Sequence, residues 1–418
     1  MQTETSAARP GTDVPLLQDD TAVALTREYI IFLLVIGATV TWRAGVLYEG
    51  GLDIVVVGKA IVSLVALGLA WQSSARQSMR RVVGNRSGWL LVAYLSCSIL
   101  GSWAGGSITP TLVLSARVVT LAVTIAMLSK GMDPERRFRA LLMATGTFAL
   151  VAAASGLPGF IRSGRLQGGL PPLKPNELAM LSGLTLLGLM WLILRGEATR
   201  RHAVLASVLL TIVWLSGSRT SLVAIVIAGG IMLLQARGLK AGAAFAVLVA
   251  ICMTTYLTLF TDLITGFFER GGTDSVTTLN SRTIAWSAAL DYADDSWSYW
   301  LGVGIATKKI PVAGQYWQEQ LLDSSWMSAL VQSGRIGIAV LAVWLATTAI
   351  ASWRRPQPQK MLLCGLAVFL ALRSFLESGL LDGTPAFVAL FTVSIAADAA
   401  SGRVRHVSGR WPDTPCRR

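Results

Sequence analysis

Long apolar runs, broken by short polar segments, dominate the chain. They fall near residues 29–47, 54–72, 88–104, 109–129, 138–157, 177–194, 203–216, 220–236, 241–260, 325–352, 361–378 and 384–400. Most approach the ~20 residues a helix needs to cross hydrocarbon. They are continuously apolar rather than alternating, which argues against a transmembrane β-barrel. The pattern predicts an all-α fold, a polytopic membrane helical bundle of about twelve transmembrane helices. The longest polar interruption, residues 261–323, is expected to be a large extracytoplasmic loop. Within it the spacing predicts a helix from Ser281 to Tyr292, capped by Asn280 or Ser281. LGVG at 301–304 then breaks the structure before a second amphipathic stretch, YWQEQLLDSSWM.

Composition agrees with that class. The chain has 418 residues, of which 53% are hydrophobic and only 14% charged, where a soluble domain carries about a quarter charged residues. The net charge of +13 would point to nucleic acid in a soluble domain, but the cations here lie in alternate short loops between apolar runs. RQSMRRVVGNR at 76–86, KGMDPERRFR at 130–139, RGEATRRH at 195–202, RGLK at 237–240, RRPQPQK at 354–360 and the tail from Arg403 form one set. The intervening loops near residues 48, 104 and 381 have no Lys or Arg. By the positive-inside rule the basic set is cytoplasmic, with both termini inside. The division expected is a disordered cytoplasmic leader at 1–27, a transmembrane domain at 28–402 and a basic cytoplasmic tail at 403–418. The partners are then membrane lipid and a membrane-borne substrate, with no nucleic acid.

This topology limits the chemistry. Cys97, Cys252, Cys364 and Cys416 have no metal or disulfide spacing, and His202 and His406 both fall on the cytoplasmic side. Walker A, HExxH, GxSxG and dinucleotide-binding signatures are absent, so no cofactor is expected. The second long outward segment is 158–176, and the turn in VWLSGSRTSLVAIV, residues 213–226, faces outward too. What the outer side offers is arginine: Arg162, Arg165, Arg219, Arg270, Arg282 and Arg373, with few acids. A cation at mid-membrane costs roughly 2.5–3.5 kcal/mol on insertion scales. A set of guanidinium forks on one side is what a membrane-anchored diphosphate requires.

Plainer roles are open for each residue. Arg219 could be an interfacial anchor and Arg282 a solvated helix-start residue. Asp323 and Asn176 could be N-caps, and Arg373 and Glu377, spaced i, i+4, could pair only with one another. The tryptophans at 297, 300, 317 and 326 read as an interfacial belt rather than as sugar-stacking platforms.

Taken in order, GRLQGGLPPLKPNELA (164–179), SGSRTSLVAI (216–225), NSRTIAWSAAL (280–290), LGVG (301–304) and DSSWMSALVQSGRIGIAVL (323–341) resemble the O-antigen ligase and polymerase family of bacterial envelope glycosyltransferases. The resemblance implies a GT-C-like membrane fold and transfer of a glycan from a polyprenyl-diphosphate-linked oligosaccharide to an acceptor hydroxyl outside the cytoplasmic membrane. It implies that Arg219 and Arg282 hold the diphosphate, and that Arg165, Pro175 and Asn176 form the earlier outer motif. Arg270, Arg373 and Glu377 are further substrate-binding candidates. Family ligases open the late motif with a histidine where this chain has Asp323, so the expectation leans towards a polymerase that works with other polysaccharide-assembly proteins. The expected reaction is inverting and metal-independent, with Asp323 orienting or deprotonating the acceptor. The rival expectation is a transporter or flippase for an anionic solute or lipid-linked sugar, and a third is a scaffold without activity.

Overall fold

In the computed structural model, residues 16–43, 53–75, 85–106, 108–131, 133–236, 284–292, 296–312 and 318–398 are described. The apolar runs in them fold as helices: α1 (Leu16–Thr39), α2 (Ile54–Ala75), α3 (Arg86–Ala104), α4 (Ile108–Gly131), α5 (Pro134–Ser163), α6 (Pro175–Leu194), α7 (Arg200–Leu215) and α8 (Arg219–Gln235). After these come α9 (residues 284–291), the short α10 (Ser296–Leu301), strands β1 (Lys309–Pro311) and β2 (Glu319–Leu321), and then α11 (Ser325–Trp353), α12 (Gln359–Leu376) and α13 (Pro385–Asp398). Seven of the helices are long and apolar enough to cross a membrane, and α8 and α13 are shorter apolar helices. The predicted run at 241–260 lies outside the described residues, as do residues 261–283 and 399–418.

Small polar residues reach into the interior among large apolar ones such as Trp191, Trp344 and Phe369. Ser98, Ser182, Ser221, Ser333 and Ser394 are all buried, while Ile61, Leu64, Trp71 and Trp89 point outward. That is the membrane pattern, in which small residues let helices approach and lipid takes the apolar surface. Helix α6 sits at the centre, packed on α5, α7 and α8, and α12 packs closely against α8 and α11.

The structure corrects four local expectations. Helix α1 begins at Leu16, so residues 16–27 of the expected leader are helical. Helix α5 runs through Pro158 to Ser163, which shortens the expected 158–176 loop. A proline is tolerated in a membrane helix where neighbouring groups satisfy the freed backbone. The following loop bonds onto the turn before the proline, from Gly169 N to Ala152 O at 3.0 Å and from Leu170 N to Ser155 Oγ at 2.8 Å. The stretch expected to be amphipathic after LGVG supplies β2, which pairs antiparallel with β1 in the register Lys309–Leu321. Finally, α11 is broken at Gly334, whose φ is 67° and ψ −164°.

That break explains LGVG. With the helix interrupted, the carbonyls of Val331 and Gln332 accept from Val303 N (2.8 Å) and Gly304 N (3.1 Å). The two backbones meet so closely that a Cβ on Gly302 would lie 2.4 Å from Ser333 N, and one on Gly334 would lie 2.3 Å from Trp300 C. Both glycines have positive φ, the region where a side chain is strained. LGVG is therefore a backbone-to-backbone lock between the α10 loop and α11.

Candidate active site

One end of the bundle gathers the C-termini of α5, α7 and α12 with the N-termini of α6, α8 and α11. The loop between α5 and α6 is anchored by Leu166, which is buried and donates from N to Leu215 O at 2.9 Å. This puts Arg165 beside the α7–α8 turn, where its Nε donates to Ser216 O at 2.8 Å. Its Nη2 reaches Asn176 Oδ1 at 3.3 Å. Asn176 Nδ2 in turn donates to Glu377 Oε1 at 2.5 Å. Arg373 Nη2 donates to the Asn176 carbonyl at 2.9 Å and stands 3.9 Å from Glu377 Oε2. Four predicted residues, Arg165, Asn176, Arg373 and Glu377, thus form one continuous network.

Glu377 also joins the network to the start of α11. Its carbonyl accepts from Ser325 N at 3.1 Å and from Ser325 Oγ at 2.8 Å. Asp323 is half-buried two residues before this contact, in the short link between β2 and α11. It is not the cap: Ser324 is, its side chain accepting from Trp326 N at 3.3 Å. Asn176 is not a cap either. Lys174 holds that position, its N–H bonded to Glu177 Oε2 at 3.2 Å, and Pro175 opens the helix. The capping readings of Asp323 and Asn176 therefore fall: Ser324 holds the cap of α11, and Asn176 lies inside α6, one residue past Pro175. The idea that Arg373 and Glu377 pair only with each other falls as well, since both engage Asn176.

Arg219 is the first residue of α8, directly after the N-cap Ser218. A cation gains nothing from the helix dipole there, since that end is itself positive. The guanidinium and the helix start instead add their positive charge to that of Arg165 at Ser216 and the buried Arg373, against the single carboxylate of Glu377 in this network. Such a site suits a group with two or more negative charges. Arg270 and Arg282 lie outside the described residues. Of the tryptophans, Trp326 is half-buried, stacked on the exposed Phe375 at 5.2 Å and bonded to Ser374 Oγ at 3.0 Å, while Trp317 lies outside the described residues. Trp297 and Trp300 are exposed.

The same end holds charged residues that the motif reading passed over. Arg117 of α4 donates to Ala38 O (2.7 Å) at the end of α1 and to Gly383 O (3.0 Å) before α13. Lys308 pairs with Asp382 at 2.6 Å. Glu177 accepts from Thr41 Oγ1 at 3.4 Å. Lys59 Nζ lies 5.9 Å from the Trp42 ring centroid. Lys59 and Arg117 had a signal: each is a lone cation inside an apolar run, and such residues face the bundle interior.

Residues 203–342 match the family model described as O-Antigen ligase. Over this third of the chain the sequence is similar to the O-antigen ligase family. No curated protein matches the chain. The O-antigen ligase match covers Arg219, LGVG, Asp323 and Gly334, together with the positions of Arg270 and Arg282. Arg165 and Asn176 precede it and Arg373 and Glu377 follow it, so the contacts above join these four residues to the matched segment. With seven helices long and apolar enough to cross a membrane, the protein is a multi-pass membrane protein.

The Asn176 contacts make a prediction. Asn176→Leu keeps the carbonyl that Arg373 uses but removes both side-chain bonds, at a cost of about 1–3 kcal/mol. Asn176→Asp, closer in shape, sets a second carboxylate against Glu377 and is expected to lower the unfolding temperature further. Thermal unfolding in detergent ranks the two, and the reverse order would remove the Glu377 contact from the network.

Proposed function

We propose that the protein is a glycosyltransferase that polymerises a glycan from a polyprenyl-diphosphate-linked oligosaccharide on the outer side of the cytoplasmic membrane. The observation carrying this reading is the convergence of Arg165, Asn176, Arg373 and Glu377 with the Ser216–Arg219 turn and the start of α11 at one end of the bundle. The donor diphosphate is held by Arg219 and Arg282, with Arg165, Arg270 and Arg373 contributing to the field and Asn176 and Glu377 setting its geometry.

In the reaction the acceptor hydroxyl oxygen attacks the anomeric carbon opposite the phosphate. The new C–O bond forms as the anomeric carbon–phosphate oxygen bond breaks, and the polyprenyl diphosphate departs with the electron pair. The hydroxyl proton passes to Asp323 and then to water. A single displacement inverts the anomeric centre. The guanidinium groups carry the positive charge that stabilises the leaving diphosphate, and in sites of this kind such electrostatic stabilisation usually dominates the rate enhancement, so the scheme is metal-independent. Activity that survives chelation is the expected outcome, and loss that a divalent cation restores would reject that part.

Asp323 is tested by substitution. Asp323→Asn is expected to lower the rate by about 10²-fold, the lower range for a lost general base. Asp323→His should recover part of it, with the rate rising as the imidazole loses its proton near pH ~6.5. A rate in Asp323→Asn equal to wild type would exclude the carboxylate from proton transfer.

One observation favours the transporter alternative: α11 is broken, as helices lining a transport path often are. The carbonyls freed by that break are occupied by Val303 and Gly304 amides, which supports a structural use instead. Proteoliposomes supplied with a lipid-linked oligosaccharide separate the readings. Longer chains indicate the polymerase, transfer to a lipid acceptor the ligase, translocated donor the flippase, and no change a scaffold.

A further inference from the structure

The opposite end of the bundle carries a feature that the glycan chemistry does not use. Helices α5 and α7 both pack on α6 but touch one another little, leaving an open groove of about 580 Å³ between them. Leu150 of α5 and Val204, Leu205 and Val208 of α7 form its walls, and Arg200 and Arg201 stand at its mouth. Val204 is 58% exposed and Val208 43%. Helices α5 and α6 are both long and apolar enough to cross a membrane, so this flank faces hydrocarbon, and acyl chains rather than water fill it.

The charges around the mouth are unequal. Glu135 is shared by Arg139 (2.7 Å) and Arg195 (2.9 Å), and Glu197 by the same two arginines. His202 Nδ1 is taken by Thr199 N at 3.0 Å. Among the described residues Arg200 and Arg201 have no carboxylate within ion-pair distance. They also occupy the first turn of α7, where the helix dipole opposes a cation and favours an anion. From Arg200 to Val208 the helix rises about 12 Å. The groove thus has a doubly cationic mouth followed by an apolar wall.

We propose that this groove binds one anionic phospholipid of the surrounding membrane, its phosphate between Arg200 and Arg201 and one acyl chain along Val204, Leu205 and Val208 against Leu150. The site is separate from the glycan site, being built at the other end of α6 and α7. It ties α7, the helix leading to the Ser216–Arg219 turn, to α5.

The test uses the purified, delipidated full-length chain, titrated with phosphatidylglycerol, phosphatidylcholine or inorganic phosphate and followed by native mass spectrometry and thermal unfolding. Phosphatidylglycerol is expected to bind one per chain and to raise the unfolding temperature, while phosphatidylcholine and free phosphate do neither. Arg200→Gln with Arg201→Gln should weaken phosphatidylglycerol binding on the order of 30-fold, taking the usual contribution of a basic residue near anionic lipid. Val204→Trp with Val208→Trp, which fills the groove without changing charge, should weaken it too, and keeps the test open should the arginine variant fold poorly. Equal binding of the two phospholipids, an equal response to free phosphate, or wild-type binding by a folded variant would overturn the proposal.

Discussion

Arg219→Ala is expected to reduce glycan transfer by about 10²–10³-fold, the loss that follows removal of one charge-stabilising donor from a transfer site. Folded yield and membrane insertion should stay at wild-type levels, because Arg219 sits at the start of α8, outside the helix interior, and α8 is held to α12 and α6 by packing along its length. Arg219→Lys should recover only part of the rate: ammonium keeps the charge but loses the planar fork that engages two phosphate oxygens together. Arg282→Ala is expected to behave likewise, and the double variant to lose less than the product of the two, since both act on one leaving group. The assay is single-turnover extension of a lipid-linked oligosaccharide. Wild-type rates in both single variants would refute the proposed diphosphate clamp, and simple multiplicativity in the double would show that the two arginines act on different groups.

Gly334→Ala is expected to have the largest effect on folding, about 2–4 kcal/mol. That figure combines the left-handed penalty of roughly 1–2 kcal/mol with a Cβ forced into backbone. The added atom would lie 2.3 Å from Trp300 C and O, neither of which can turn away as a flexible side chain would. Gly302→Ala meets the backbone of Gln332 and Ser333 at 2.4 Å and should cost a similar amount by prising apart the same lock. Gly68→Ala is the control, because a Cβ there meets nothing within 4 Å and the change improves helix propensity. Unfolding temperatures in detergent should therefore fall for the first two and hold or rise for the third. Equal stability of all three would mean that LGVG and the α11 break do not hold each other in place.

Residue order alone determined the class of molecule and the chemistry to look for. The described apolar runs are helices because a chain in hydrocarbon must satisfy its own backbone, and this requirement is local. The arginines and the ordered motifs were legible for the same reason: a guanidinium in so apolar a sequence is costly wherever it sits, and the match at 203–342 covers the motifs from the Ser-Arg turn to the late span. The Gly-x-Gly of LGVG was visible as a break, but its partner was not. Which helices meet was decided by tertiary structure. Helix α2 is at least as apolar as α6, yet 17% of its spanning window is buried inside the bundle against 67% for α6. Lipid and protein interior are equally apolar solvents, so hydrophobicity does not distinguish a perimeter helix from a central one. The bond from Asn176 to Glu377 across 201 positions and the seating of Gly302 against Ser333 follow from close packing and backbone hydrogen bonding between distant segments, and neither interaction leaves a periodic trace along the chain.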